Sequence, residues 1–267
     1  EDPAPMTTRT DTDADWEAWG RQDPYFGVIT NPIFRRRELT SEAREIFFQT
    51  GQMHVVHLLE TCRSRLLPGF SPYRCLDFGC GVGRVLIPLA AHTHEAVGMD
   101  VSPSMLAEAR QNAQDRGVLN CQWVEGGDPS VFPEGHFQLV HSVIVLQHIE
   151  VERGIDVFRQ LLRCIAPGGI GALQLTYGKA YHPDTLGVPP AAPPVAPAPA
   201  AGRGLLRAAR DVMPSRSAAP AEPPMLMNPY PLNPLMYLLQ TAGVSSLHAE
   251  FTDHGGELGL FLFFVKP

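Results

Sequence analysis

The chain has 267 residues, 44% of them hydrophobic and 18% charged, with a formal net charge of -7 at pH 7. That length can bury a sizeable core in one large domain or two small ones. The acidic balance leaves no basic excess to neutralise phosphates, which argues against a nucleic-acid partner; the run Arg35 to Arg37 is too short to change this.

Five cysteines, an odd number without repeating spacing, make no disulfide framework. They read as small buried residues of a reducing compartment. Met6 reads as the native start, with no charged leader and apolar run behind it. The longest late apolar stretch, "LGLFLFFV" (Leu258 to Val265), is far too short to span a bilayer. The expected location is cytoplasmic, with no membrane partner.

In chain order, the first strong helical period is "TSEAREIFFQTGQMHVVHLLETCRSRLL" from Thr40, with Thr40 or Ser41 as its cap. "RCLDF" then reads as a short buried strand and "GRVLIPLAAH" as a helix. Pro88 is tolerable there if the helix begins near Arg84, so that its missing N–H falls close to the first turn. Next come "EAVGMDVS" as a strand, "SPSMLAEARQNAQDRG" as a helix capped by Ser102 with Pro103 at its first position, and "NCQWVEG" as a strand. "HFQLVHSVIV" is a strand, "VERGIDVFRQLLRCIAPGG" a helix stopped by Pro-Gly-Gly, and "IGALQLTY" a strand. Short apolar strands alternating with helices form a parallel sheet covered on both faces.

Residues 186–229 are rich in proline and alanine at a density that builds no core; a flexible insert is expected, with "GLLRAARDVM" inside it as a possible short basic helix. The chain ends on the helix "PLNPLMYLLQTAGV" and two strands around "DHGG", an antiparallel hairpin at the sheet edge. The organisation expected is an N-terminal extension and helical cap over 1–66, a core over 67–185, the insert over 186–229 and a completing helix and hairpin over 230–267.

The stretch "LDFGCGVGR" places Gly79, Gly81 and Gly83 at alternate positions between a strand and a helix. Each glycine costs backbone entropy, so the turn or something bound against it must need them. A dinucleotide turn spaces its glycines G-x-G-x-x-G to seat a pyrophosphate. Here the place of the third glycine of that pattern falls on Arg84.

With "VGMDVS" ending the next strand, "FQLVHSVIVLQHI" and "LLRCIAPGGIGAL", this stretch resembles, in order and spacing, the motifs of class I S-adenosylmethionine-dependent methyltransferases. The resemblance covers Tyr73 to Thr176 well and the final helix and hairpin more loosely. It implies a doubly wound α/β fold: a seven-stranded, mostly parallel, Rossmann-like sheet with an antiparallel C-terminal hairpin and an N-terminal helical cap. It also implies S-adenosylmethionine as cofactor and S-adenosylhomocysteine as product. One departure is Gln138, where the family's "FDLV" has an aspartate.

The implied donor site follows residue by residue. Bare backbone at Gly79 and Gly81, with Gly83 behind, admits the ribose and methionine parts, and Asp77 fixes the turn or binds the ammonium. Arg84, at a helix start that favours anions, meets the carboxylate. Asp100 accepts both ribose hydroxyls by charge-assisted hydrogen bonds, with Val101 beside it. In "EGGDPS", Asp128 with Gly127 is set against the adenine amino group. His141 and Ser142 are placed near the donor, and Tyr25 of "DPYF", which resembles an N-terminal lid segment, near its methionine end.

For the acceptor, His148 of "LQHI" is the candidate general base, since it falls a short loop beyond the fourth strand and histidine titrates near neutral pH. The other reading of His148 is a structural helix-start residue. Tyr177, Tyr181, His182 and Tyr230 are candidates for the acceptor pocket. "NPIF" and "NPY" resemble the Asn-Pro-Pro-Tyr motif of nucleic-acid amino-methyltransferases but stand in the wrong place, so both read as turns. A metal-assisted mechanism needs clustered oxygen ligands near the acceptor; the sequence offers His182 with Asp184 and Asp253 with His254 but no acidic residue at the end of the fourth strand, so no metal is expected. The expected activity is methyl transfer to a small molecule, O- slightly ahead of N-, in secondary or sugar-derived metabolism. The alternatives are a protein or peptide methyltransferase, a non-catalytic donor-binding scaffold and, more weakly, a nicotinamide enzyme.

Overall fold

A computed structural model describes residues 12–189 and 222–267. Met6 and most of the Pro/Ala-rich insert, including "GLLRAARDVM", lie outside the described residues. The strands are β1 (Arg74–Phe78), β2 (Glu95–Asp100), β3 (Cys121–Glu125), β4 (Phe137–Ser142), β5 (Ile165–Lys179), β6 (Leu247–Asp253) and β7 (Glu257–Val265). They form one seven-stranded sheet in the order β3-β2-β1-β4-β5-β7-β6. β1 through β5 pair in parallel, and β7 runs antiparallel between β5 and β6. This is the doubly wound, Rossmann-like architecture expected from the alternating pattern. β1 and β4 are neighbours although the order of the sheet reverses there, so the crevice for a ligand opens above their carboxyl ends.

The helices are α1 (Thr12–Gln22), α2 (Pro24–Val28), α3 (Ser41–Thr61), α4 (Leu86–Ala90), α5 (Pro103–Asp115), α6 (Val151–Cys164) and α7 (Leu232–Thr241). Local chemistry sets several boundaries. The Thr40 side chain accepts from the Ala43 N–H at 3.1 Å to cap α3, and Ser102 accepts from Met105 at 3.1 Å to cap α5, with Pro103 in the first turn. Pro88 is the third residue of α4, where no interior hydrogen bond is lost to it.

Two apolar cores sandwich the sheet. On one face Leu76, Val140, Leu173 and Leu262 meet α6 and α7 through Phe158, Leu161 and Leu235. On the other Cys75, Leu139, Ala172 and Phe263 meet α3 and α4 through Val55, Leu58 and Leu86. A third cluster, built from Trp19, Tyr25, Phe34 and Phe47, binds the N-terminal helices to the domain. All five cysteines are free; four are buried and Cys121 is half-buried. Among the described residues no helix is long and apolar enough to cross a membrane.

Three expectations need correction. Helical structure begins at α1 and α2, well before Thr40; their short, amphipathic periods carry a weak signal next to that of α3. β4 stops at Ser142 instead of running through "VIV", because Ile144 turns the chain with φ +58°. The Pro-Gly-Gly after α6 opens β5, which takes in Ile165 onward.

Candidate functional site

A cleft enclosing about 940 Å³ of empty space, its open mouth included, lies at the carboxyl ends of β1, β2 and β4. Its floor is the turn after β1. Gly79, Gly81 and Gly83 all have positive φ (+74°, +52° and +84°), the left-handed region in which side chains are strained. Space makes a second demand on the first two. A Cβ on Gly79 would stand 2.3 Å from Val145 Cγ2, and one on Gly81 would stand 2.8 Å from Val28 Cγ2. Gly83 serves the fold instead: it faces Ile87 and Trp123 and is not part of the cleft.

Asp100, Asp77 and Arg84 are charged side chains that line this cleft beside the turn. Asp100, at the end of β2, accepts the Gly81 N–H at 2.8 Å on one carboxyl oxygen and the Ser102 N–H at 2.9 Å on the other. Burial, with a smaller push from the nearby Asp77, raises its carboxyl to about 6 against the pull of those amides. The lone pairs that the amides do not take up are left for a further donor. Asp77, at the end of β1, is buried and lies beside His141. Arg84 lines the same wall with its buried Nε lacking any hydrogen-bond partner, and burial lowers its affinity for the proton in spite of Asp77. Buried polar groups are normally paired, so a cationic Nε left over in a cleft marks a place for an acceptor.

The roof is α1, which reached the cleft without any sequence signal. Thr12, Asp13 and Trp16 face into it. Asp13 and Arg153 of α6 form a two-pronged ion pair at 2.7 and 2.8 Å. Further along, Glu17 accepts from the Ser102 hydroxyl at 2.7 Å and from the Ser104 N–H and hydroxyl at 3.1 and 2.8 Å. Burial alone would raise the Glu17 carboxyl, but these hydrogen bonds and one from Arg21 hold it at about 2. α1 therefore spans the cleft from the start of α6 to the start of α5.

The wall opposite Asp100 is the loop after β4. Ile144 holds a backbone conformation rare for a β-branched residue, and its N–H is met by the Gln174 side chain at 2.8 Å. His148 closes this wall. Its Nδ1 lies 2.6 Å from the Leu226 carbonyl, which can only accept, so Nδ1 carries the hydrogen and Nε2 keeps its lone pair. Trp16 packs edge-on against the ring at 4.8 Å. Burial pushes His148 down to about 4, so the ring is neutral at physiological pH.

Of the sequence candidates, the cleft brings together Asp77, Gly79, Gly81, Arg84, Asp100, Val101, Gly127 and His148. Others go elsewhere. Tyr25 is buried beneath α3, where its hydroxyl meets Glu108, Asn112 and Arg44 within 2.9 Å; its neighbours Gly27 and Val28 reach the cleft in its place. Asp128 caps a 3-10 turn, accepting from Ser130 through both oxygens, and the cleft is lined there by Gly126 and Gly127. His141 and Ser142 point away from it: His141 contacts Asp77 and His54, and the Ser142 hydroxyl binds the Phe78 carbonyl.

The four acceptor candidates also fall outside the cleft. Tyr230 is buried and donates to the carbonyls of Leu146 and Ile149, each at 2.8 Å, so it staples the loop that carries His148. Asn228, of the "NPY" turn, holds the same loop through Gln147 and Ile149 carbonyls. Tyr181 is exposed and donates to Glu257, His182 packs against it, and Tyr177 is half-buried against the α6–α7 core. Asn31 of "NPIF" caps a short 3-10 turn.

Residues 75–169 match the family described as a methyltransferase domain. A 2-heptyl-1-hydroxyquinolin-4(1H)-one methyltransferase of Mycobacteroides abscessus is 30% identical over 122 residues, which are 45% of this chain and 53% of that protein. Among solved structures, magnesium protoporphyrin IX methyltransferase from Synechocystis PCC 6803 with bound SAM superposes with a TM-score of 0.57 at 17% identity, covering 98% of this chain and 100% of that one. The N-methyltransferase NodS from Bradyrhizobium japonicum WM9, in complex with S-adenosyl-L-homocysteine, gives 0.56 at 16% identity, covering 96% and 99%. The aligned segments span about half, or less, of the curated relatives' length. Residues 75–169 thus match a methyltransferase domain, set in the same fold as these SAM- and S-adenosyl-L-homocysteine-bound neighbours.

Proposed function

We propose that the protein transfers a methyl group from S-adenosylmethionine to a small-molecule acceptor, with a hydroxyl as the favoured acceptor group. The cleft residues fit the donor's chemistry group by group. Asp100, an acceptor-only carboxylate with unused lone pairs, suits the two ribose hydroxyls. Arg84, whose buried Nε has no partner, suits the carboxylate of the amino-acid tail, and Asp77 suits its ammonium. Glycine at 79 and 81 lets Val145 and Val28 close directly against the turn, so that bare backbone borders the cleft. When bound, the donor supplies an electrophilic methyl on a cationic sulfur.

The observation that carries the acceptor reading is His148. Its Nδ1 is committed to the Leu226 carbonyl, which leaves Nε2 as an acceptor at the cleft wall. A neutral imidazole there orients an incoming hydroxyl by accepting its hydrogen bond and takes up the proton as the oxygen bonds to carbon. Its low proton affinity suits an acceptor that acidifies strongly as it reacts, such as a phenol or enol, better than an aliphatic alcohol. Trp16, Val143, Val145 and Ile149 give the neighbouring walls an apolar character suited to a ring or alkyl group.

The test is turnover with isotopically labelled donor against phenols, enols, amines and sugars. Labelled product from the first two classes supports the reading, and transfer confined to amines overturns the hydroxyl preference. A gain of about 14 mass units on a co-purified protein selects the protein-methylating alternative. Tight donor binding without turnover on any acceptor class selects the scaffold.

A further inference from the structure

Behind Asp77 the structure holds a polar chain that none of the roles above uses. Asp77 on β1 and His141 on β4 are register partners on adjacent parallel strands, with side chains on the face covered by α3. His141 is fully buried, and its Nδ1 lies 2.7 Å from Asp77 Oδ1. Its other nitrogen, Nε2, lies 2.8 Å from Nε2 of His54 on α3. The His54 ring stacks on Phe261 of β7 at 5.7 Å. Close approach of α3 is what brings His54 there. Gly51, one turn earlier, lies so near the glycine turn that an added Cβ would sit 1.9 Å from the Arg84 carbonyl oxygen.

Hydrogen-bond polarity fixes the order of protons along this chain. A carboxylate oxygen can only accept, so His141 donates from Nδ1; with His141 as the neutral tautomer its Nε2 is bare and accepts from His54 Nε2–H. Burial, His141 and the charge on Arg84 together push His54 down to about 2, so it enters the chain neutral. The result is a one-way series, His54 to His141 to Asp77, which fixes Oδ1. Among the described residues Asp77 Oδ2 receives no hydrogen bond, and Asp77 lines the cleft beside Arg84.

We propose that His141 and His54 are positioning residues that hold Asp77 to receive the ammonium of the donor's amino-acid tail. This rests on the donor reading above. Without the chain, the Asp77 carboxylate is free to rotate away from the cleft or toward the Arg84 guanidinium, where it would compete with the tail's own carboxylate. The chain therefore keeps Asp77 and Arg84 apart as two halves of a receptor for a zwitterion.

Calorimetry with two ligands tests this: S-adenosylhomocysteine, which has the amino-acid tail, and 5′-methylthioadenosine, which lacks it. His141→Leu should lose about tenfold in affinity for the first and bind the second as the wild type does. His54→Phe, which preserves the stack on Phe261, should show the same selective loss at about threefold. His141→Asn, which keeps a donor near the place of Nδ1, should recover most of the affinity. If His141→Leu does not fold, His54→Phe carries the comparison, because its ring is only partly enclosed.

A low-field imidazole N–H proton that moves on binding S-adenosylhomocysteine and not on binding methylthioadenosine would further support the proposal. Equal losses for both ligands, or no loss for either, would overturn it while leaving the donor reading intact. A wild-type protein that binds neither ligand would overturn the donor reading and this proposal with it.

Discussion

The two halves of the cleft are built differently. The proposed donor half is made from strand ends and the turn between them: Asp77, Gly79, Gly81 and Asp100 lie within two adjacent strands and their exits, and backbone amides orient the Asp100 carboxylate. The proposed acceptor half is assembled from α1, the loop after β4 and the strap around Asn228, which are far apart in the chain. A site of the first kind depends on local backbone geometry and tolerates little change. One of the second kind depends on packing between segments, and individual side chains in it can be lost at lower cost.

The largest expected effect therefore lies in the donor half. Asp100→Ala should weaken S-adenosylhomocysteine binding at least about a hundredfold, since two hydrogen bonds to a charged group are lost, each worth about 1.5–3 kcal/mol. A loss below tenfold by calorimetry would remove Asp100 from the ribose site. His148→Ala should slow turnover about a hundredfold with donor affinity unchanged. Normal turnover in that variant would leave His148 as a structural residue that anchors Leu226.

The pH dependence separates the halves as well. Asp100 is held at about 6, so donor affinity should fall as pH drops through 6, by about tenfold per unit, as its acceptor capacity is lost to protonation. Stability has its own window. His148 and His54 are depressed from 6.5 to about 4 and about 2, so the unfolded chain takes up protons first. Their contribution is fully present above 6.5 and is lost as pH falls toward 4 and then 2. Chemical denaturation at pH 7 and pH 5 should show the wild type losing more stability than His148→Leu does.

The smallest effects are expected at the rim. Asp13→Asn should change donor affinity by less than about threefold, because its ion pair with Arg153 is partly exposed and screened. Tyr181→Phe should leave the acceptor KM within about twofold, since its hydroxyl serves Glu257.

The same contrast explains what could be read from the residues alone. The glycine turn, Asp77, Arg84 and Asp100 announce themselves because strand, turn and helix start are contiguous, and the sheet order follows from alternating strands and helices. The place of His148 at the cleft wall was legible for the same reason, as it stands just past a strand. Tyr25, Asp128 and Tyr230 were misplaced because position along the chain does not say which way a side chain points. Each found strong partners elsewhere: the Glu108–Arg44 pair, the Ser130 amide, and the carbonyls of Leu146 and Ile149. Trp16, Asp13 and Arg153 gave no local signal, since their roles come from the docking of α1 across 140 residues of chain.

That crossing helix has a kinetic consequence. Under the proposed donor reading, a spent nucleoside beneath α1 leaves more readily when the helix loosens at one end, so release is expected to couple to an unlatching and a relatching. Where departure is the slow step, added salt should raise kcat by loosening Asp13 from Arg153, the reverse of its usual effect on the capture of a charged molecule.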